Sequence, residues 1–575
     1  MSFKKNDVIK IEITDLNNLG SGVGRTNDGM VVFVGGAVTG DVVTAKIIKA
    51  TSSYLVGRLE SIVVRSEHRA NGEGLRRETC TAPNSCGGCV YRNIKYEHEL
   101  ELKRDYVKNA FRKAGLPDVT VLDVAHTGKV TGYRNKAQYP TRLVGGKVRA
   151  GFFASKTHDL IPHESCLLQP AIFGDIVRFI TDFAEKNGIS AYDELTGKGI
   201  LRHIYLRIAE MTGEIMVCLV INAERLALAD KFASELVKSF PSVASVMLNI
   251  NKKNTNVILG DEFRCIGGKD HIVDELCGLR FKISAGSFYQ VNRDGAELLY
   301  GLARERAGLT GNETVADLYC GTGTIGLSMA RNAARVVGIE IVDEAVECAK
   351  ENAKLNGIEN AYFFCGDASD TRGLLANAKD SLGDFCPDVV IIDPPRKGTT
   401  SELVDYLSEL GIPKIVYVSC NPDTLARDCA WFAEAGYTIG EVTPVDMFPG
   451  TGHVESVVSL TREPTVHNMK LHVAPFEMIK SGEKTIELRL FDEKRQQIKI
   501  GDKIVFTNAE SGETLNTTVA KLHRFDSFKE LYESLPLLQC GYTSENVDKA
   551  RHTDMEQYYS LQEQEKYGVV GIELC

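Results

Sequence analysis

Hydrophobic and polar positions change their period along the chain, and the changes divide it into four stretches. Residues 1–62 alternate apolar and polar in short runs: Val8-Ile-Lys-Ile-Glu-Ile13, Met30-Val-Val-Phe-Val34, Asp41-Val-Val-Thr-Ala-Lys-Ile-Ile48 and Leu55-Val-Gly-Arg-Leu59. Gly20, Gly22, Gly24, Gly35 and Gly36 stand between them. Period-2 runs separated by glycine turns predict a small antiparallel β-barrel. Residues 63–285 mix strand and helix patterns, as an α+β unit would. From 286 to 462, apolar strands alternate with helical stretches, which predicts a parallel sheet with helices between its strands. Thr461-Arg-Glu-Pro-Thr465 reads as a linker, and Met469-Lys-Leu-His-Val473 opens a separate unit over 466–575. A chain of 575 residues exceeds what one core holds, so a multidomain α/β protein divided at these points is expected.

Within the third stretch, the apolar strand Thr314-Val-Ala-Asp-Leu-Tyr319 runs into Cys320-Gly-Thr-Gly-Thr-Ile-Gly326 and then a helical Leu327-Ser-Met-Ala330. Gly321 and Gly323 let the backbone turn tightly and approach a ligand at a helix N-terminus. A second strand, Arg335-Val-Val-Gly-Ile-Glu340, ends in a carboxylate suited to a ribose diol. A third, Ala361-Tyr-Phe-Phe-Cys365, leads to Asp367. Taken alone, Gly321, Gly323 and Gly326 satisfy a dinucleotide fingerprint, so a nicotinamide-dependent oxidoreductase is the natural rival.

Two further strands separate these readings. Asp388-Val-Val-Ile-Ile-Asp-Pro-Pro395 carries Asp393 at its carboxyl end. Lys414-Ile-Val-Tyr-Val-Ser-Cys420 carries Cys420 at its end, followed by Asn421-Pro422. Ligands of a doubly wound sheet bind outside the carboxyl ends of its strands, so Glu340, Asp393 and Cys420 are expected on the rim of the glycine loop. Hydride transfer has no use for a thiol there. Alkylation of a pyrimidine does. Carbon 5 of uracil is too weak a nucleophile to take a methyl group from a sulfonium. Addition of a thiolate to carbon 6 makes carbon 5 an enolate carbon, and a base must later remove the carbon 5 proton. Cys420 is the candidate nucleophile, and Glu455, in Phe448-Pro-Gly-Thr-Gly-His-Val-Glu-Ser-Val457, is the candidate base. A free thiol has a pKa near ~8.5, so the site is expected to favour the thiolate.

These motifs carry a resemblance. Ser287-Phe-Tyr-Gln-Val-Asn292, Asp317-Leu-Tyr-Cys-Gly-Thr-Gly-Thr324, Asp393-Pro-Pro-Arg-Lys-Gly398, Ser419-Cys-Asn-Pro422 and His453-Val-Glu455 resemble, in order, those of RNA uracil-5-methyltransferases over about residues 1–462. The resemblance implies a Rossmann-like class I methyltransferase domain over 286–462 that binds S-adenosylmethionine. It implies that Gln290, Tyr319, Thr324, Glu340, Asp367 and Asp393 contact that cofactor, that Cys420 is the nucleophile and that Glu455 is the proton acceptor. Gly132-Tyr-Arg-Asn-Lys136 also resembles a family motif and makes Arg134 a candidate contact for the target base. Leu19-Gly-Ser-Gly-Val-Gly24 is similar to the start of a TRAM domain, an OB-like RNA-binding barrel, over 1–62. Adenine-N6 enzymes usually follow the Pro-Pro step with an aromatic residue, whereas Arg396 stands here. RNA cytosine-5 enzymes also use a cysteine but in different surroundings.

Cysteine spacing adds a second centre. Cys80, Cys86 and Cys89 have close spacing around Gly87-Gly88, a metal or cluster pattern, and Cys166 in Pro162-His-Glu-Ser-Cys166 is the candidate fourth ligand. Zinc is the chemical rival. Resemblance to the ribosomal-RNA branch of the family implies a [4Fe-4S] cluster at these four positions, within a cluster- and RNA-binding domain over 63–285. The transfer-RNA branch typically lacks both barrel and cysteines, so 23S ribosomal RNA is the expected partner and transfer RNA the alternative. A non-catalytic RNA-binding Fe–S protein is a further alternative, one that would tolerate loss of Cys420 and Glu455.

Pro475-Phe-Glu-Met-Ile-Lys-Ser-Gly-Glu-Lys-Thr-Ile-Glu-Leu-Arg489 and Ile500-Gly-Asp-Lys-Ile-Val-Phe506 resemble an ASCH domain, a PUA-like β-barrel linked to RNA, over 466–575.

Charge and composition narrow the setting. The net charge is −10, yet Arg65–Glu164 holds 18 Lys and Arg against 11 Asp and Glu. A locally basic face can neutralise phosphates on an acidic protein. There is no run of 18 apolar residues to span a membrane and no apolar segment at the start to act as a secretory signal. Fifteen cysteines in such a chain point to a reducing cytoplasm, where thiols serve as ligands or nucleophiles.

Overall fold

The computed structural model describes residues 3–70, 80, 82, 85–155, 157–367, 378, 381–383 and 385–575. Part of the basic stretch, 71–79, lies outside the described residues. No helix among the described residues is long and apolar enough to cross a membrane.

The first sheet has six strands within 8–64. Ile11, Val32, Val34, Val43, Ala45, Ile47 and Leu55 fill its inside. It departs from a purely antiparallel barrel in one place. Val31–Gly35 runs parallel to the start of Tyr54–Val64. The strand Val42–Ala50 lies between them in sequence and pairs antiparallel with Tyr54–Val64, so the chain reverses and returns in its earlier direction.

The second sheet has seven strands within 136–268, of which only Ile215–Ile221 and Val243–Ile250 pair in parallel. One face joins the third sheet, described next, in a single core, where Tyr205, Met216, Cys218 and Met247 meet Phe281, Tyr289, Val315 and Val418.

The third sheet holds eight strands. Arg335–Glu340, Thr314–Leu318, Val389–Ile392 and Lys414–Ser419 are parallel neighbours in that order. Ala361–Cys365 extends one edge in parallel, and Glu455–Thr461 lies antiparallel against Lys414–Ser419. The helix Tyr96–Lys113, far away in sequence, buries Val107 and Phe111 against this sheet. Full burial of each such side chain contributes about 1.5–3 kcal/mol.

The last sheet has five strands within 466–574. Its unit is docked rather than tethered. Arg462, expected in a linker, is 8% exposed and pairs with the fully buried Asp502. Asp502 also accepts the Thr465 and Lys499 N–H groups at 2.9 Å, and Lys499 Nζ reaches the Ala435 carbonyl at 2.9 Å.

Candidate active site

The parallel strands explain why so many polar groups meet. Each is mainly apolar because both faces are covered, and each ends at one rim where the chain turns. At the centre of that rim, Tyr319 adopts φ 67, a left-handed conformation uncommon for a residue with a side chain, before Gly321 and Gly323 at φ 56 and 80. The helix Thr324–Met329 starts directly after Gly323. Gly321 N–H donates to Glu340 Oε2 at 3.0 Å, and Val342 N–H to Oε1 at 2.9 Å. This ties the second strand's carboxylate to the glycine loop and leaves lone pairs for hydroxyl donors. Tyr300, from the helix Arg293–Ala307, shares a hydrogen bond of 3.0 Å with Thr324 Oγ1. Asn135 Nδ2 donates to the Gln290 carbonyl at 2.9 Å, which fixes the turn that carries Gln290. Asp367 follows the third strand and is exposed.

The carboxylates crowd one another. Burial pushes Asp393 up to about 7. Burial, with Asp393 and Glu340 nearby, also pushes Asp317 up to about 7 against the bond from Gly326 N–H. Asp317 Oδ1 is buried with no partner. Sequence reasoning quoted Asp317 only inside a motif and did not single it out. Its position as a carboxylate in the middle of an apolar strand was the available signal.

Cys420 and Glu455 come together through the antiparallel return. Ser419 pairs with Ser456, so the next residue out on one strand, Cys420, faces the next on the other, Glu455. Glu455 is 7% exposed, and burial with Asp393 raises it to about 8 against the influence of Arg396. Cys420 is partly buried; burial, Glu455 and Asp393 raise it to about 11, and Arg396 is the cation that opposes them. The site thus disfavours the thiolate, contrary to expectation, first through burial and then because two carboxyl groups share its rim. Arg396 is therefore a site residue that sequence reasoning passed over. Its signal was a cation directly after the Asp-Pro-Pro turn. Asn421 caps the next helix and donates from Nδ2 to the Arg396 carbonyl at 3.0 Å, which joins the two loops.

The loop before Glu455 is held by a buried ion network. Lys103 Nζ donates to Glu99 at 2.8 Å, to Asp446 at 2.6 Å and to the Phe448 carbonyl at 3.2 Å. Tyr133 Oη donates to the Pro449 carbonyl at 2.9 Å, and Asn292 Nδ2 to the Met447 carbonyl at 2.9 Å. Arg134 lies over the Phe448 ring at 5.8 Å.

Arg134 also lines a second cavity of about 240 Å3, together with Cys80, Cys86, Cys89 and Cys166. Ala82, Phe152, Leu167 and Leu168 give it apolar walls. Burial and the other three thiols push Cys166 up to about 12. A trio of possible ligand atoms within 4.8 Å of one another occurs at His68, His98 and Glu101, whereas the cysteine sulfurs surround a wider space.

These features imply a pH dependence. Glu455 carries its proton below about 8 and accepts one only above it. The Cys420 thiolate fraction rises about tenfold per pH unit below the thiol pKa. Both effects have the same sign, so a reaction that uses the Cys420 thiolate and the Glu455 carboxylate is expected to speed up from pH 6 to 9. Release of a pre-formed adduct at Cys420 is expected to slow as the pH falls through about 8, where Glu455 takes up its proton. Quenched gels across that range measure it, and a flat profile contradicts the assignment.

Comparison with known proteins places this geometry. Residues 205–463 match the family described as tRNA (Uracil-5-)-methyltransferase, residues 3–59 match the TRAM domain and residues 469–574 the ASCH domain. An RNA methyltransferase of Clostridium acetobutylicum is 39% identical over 462 residues, 80% of this chain and 98% of the relative. One from Enterococcus faecalis is 41% identical over 461 residues, with the same two shares. Among solved structures, a tRNA (uracil-54, C5)-methyltransferase of Pyrococcus abyssi in complex with S-adenosyl-L-homocysteine is similar with a TM-score of 0.62 and 26% identity. It covers 79% of this chain and 100% of its own. Near-complete coverage of relatives at this identity, around a thiol and carboxyl rim of this form, shows that the chain belongs to the RNA uracil-5-methyltransferase family, with a TRAM domain before its catalytic part and an ASCH domain after it.

Proposed function

We propose that this methyltransferase acts on carbon 5 of a uridine in 23S ribosomal RNA, with Cys420 as covalent nucleophile and Glu455 as proton acceptor. The observation that carries the reading is the pairing of Ser419 with Ser456, which brings the thiol and the carboxyl to one rim. The target base must leave its stack to reach that rim, at a cost of a few kcal/mol. Cys420 sulfur forms a bond to carbon 6, and the displaced electron pair moves through carbon 5 to oxygen 4. Carbon 5 then takes up the methyl group. Glu455 removes the carbon 5 proton, the double bond re-forms and the Cys420 thiolate leaves. Glu340, Asp393, Asp367, Gln290, Tyr319 and Thr324 would hold S-adenosylmethionine, which when bound would supply an electrophilic methyl group, with S-adenosylhomocysteine as the leaving thioether, and a positive sulfonium that favours the thiolate. The positive φ at Gly321, with no atom within 4 Å of an added Cβ, and the unpaired Asp317 oxygen fit such a ligand.

Cys80, Cys86, Cys89 and Cys166 suit a [4Fe-4S] cluster better than zinc. Four thiolates close on one zinc ion at ~2.3 Å, which leaves no room between them. Here they are among the residues that line a cavity of about 240 Å3, with Ala82, Phe152, Leu167 and Leu168 as apolar walls that suit a bulkier group. Anaerobically purified protein is expected to be brown with about four iron atoms per chain. Colourless protein with one zinc refutes the cluster. Methyl transfer needs no redox step, so the cluster would be a structural or RNA-orienting centre.

The division at 1–62, 63–285, 286–462 and 466–575 gives a further test. Every residue proposed for chemistry precedes Arg462, so deletion of 466–575 is expected to leave methylation per folded molecule intact. It is expected to lower Tm, because Arg462 loses Asp502. An inactive but folded truncation on saturating RNA contradicts the division.

Mapping of 5-methyluridine in cells lacking this chain tests the substrate. Loss from 23S ribosomal RNA is expected. The presence of the barrel and cysteines favours that branch, whereas the Pyrococcus neighbour acts on tRNA. Loss from transfer RNA alone reassigns the substrate.

A further inference from the structure

The central sheet carries a like-charge pair where repulsion is expected. Arg207 and Lys136 stand directly opposite each other in the antiparallel pairing of Leu201–Ile208 with Lys136–Val144. Residues so paired point to one face about 5 Å apart, and like charges there destabilise the sheet. Neither is simply a surface residue: Arg207 is 1% exposed and Lys136 is partly buried.

Arg207 donates from Nη1 and Nη2 to the Ser284 and Ser287 carbonyls at 2.9 and 2.8 Å, and its buried Nε–H has no partner. Arg134, two residues before Lys136, also keeps a buried Nε–H without a partner. Burial first, then the charges of Arg207 and Arg134, lower Lys136 to about 8. Among the described residues no carboxylate is paired with Lys136 or Arg207. Unpaired buried cations are costly, and a site that keeps several together is suited to an incoming anion.

Their place favours the substrate complex. Arg207 grips the two ends of the turn Ser284–Ser287, which leads into Gln290. Asn135, beside Lys136, holds the Gln290 carbonyl. Tyr205, on the same face as Arg207, packs with Ala285 and Tyr289 in the core shared with the methyltransferase sheet. The cations border the segment next to the proposed methyl-transfer rim.

We propose that Lys136, with Arg207 and Arg134, forms a subsite for an anionic oxygen group, a backbone phosphate of the bound RNA. The proposal deepens the methyltransferase reading and rests on it. The methionine carboxylate of the cofactor offers the same chemistry, and the test separates the two.

Full-length Lys136→Gln and Lys136→Arg are titrated with a short single-stranded RNA containing uridine at several salt concentrations, and separately with S-adenosylhomocysteine. Lys136→Gln is expected to bind RNA about tenfold more weakly. Its slope of log affinity against log salt becomes shallower by about 0.7, the loss of one phosphate contact. S-adenosylhomocysteine affinity stays unchanged, and Lys136→Arg restores the slope. Tm is expected to rise in Lys136→Gln, because the repulsion with Arg207 is relieved. A purely structural lysine would give the opposite sign. Weaker S-adenosylhomocysteine binding with an unaltered RNA slope overturns the phosphate and assigns the carboxylate. If neither ligand responds, the subsite does not exist. These readouts are equilibrium binding, so they stand even if no 5-methyluridine is ever found and the methylation reading fails on its own.

Discussion

Cys420→Ala is expected to abolish methylation, by a factor on the order of 10^6 as for other removed nucleophiles. The size follows from chemistry. Without a bond at carbon 6, carbon 5 has no enolate character, and no positioning by Glu340 or Asp393 supplies it. The variant is also expected to fold. Cys420 is only partly buried and lies beyond the last paired residue of its strand, so the smaller side chain leaves the ladder intact. Cofactor binding therefore stays, and no RNA adduct appears on denaturing gels. An adduct that persists without Cys420 places the nucleophile elsewhere.

Glu455→Gln is expected to fail in a different way. Glutamine has the same shape, fits the same buried position and resembles the protonated acid already favoured below about 8. Thiolate addition and methyl transfer do not need the carboxylate. Proton removal does, and loss of a general base slows its step by roughly 10^2 to 10^4. Methylated RNA is thus expected to remain covalently attached through Cys420 and to survive denaturing electrophoresis. Normal turnover by Glu455→Gln removes Glu455 from the role of base. The two variants together separate attack from release, which no single activity assay does.

Much of the site was legible locally. The strands Arg335–Glu340 and Ala361–Cys365 appear at the expected bounds, and the other three central strands lie within theirs. Strands covered on both faces are continuous apolar runs, so the polar residue that ends each run stands out. The gathering of Cys80, Cys86 and Cys89 on one cavity wall was legible because residues around one tight turn are neighbours in sequence. Arg462 misled because Thr461-Arg-Glu-Pro-Thr465 has the composition of a linker, and composition does not report that Asp502 waits forty residues on.

The sequence by itself determined the order of strands and helices, the rim on which Glu340, Asp393 and Cys420 end, and the thiol and carboxyl that are proposed here as nucleophile and base. Only the tertiary structure decided the neighbours. It set Glu455 against Cys420 through an antiparallel return strand. It buried the helix Tyr96–Lys113 under a sheet that begins two hundred residues later and anchored the Glu455 loop on Lys103. It also placed Lys136 opposite Arg207. The physical reason is one of range. Periodicity along a chain records which face of an element is buried, because burial acts on every residue of that face. It does not record what the face is buried against. Register between distant strands, and the mutual effect of charges on the Cys420 thiol, arise only when the whole chain has packed.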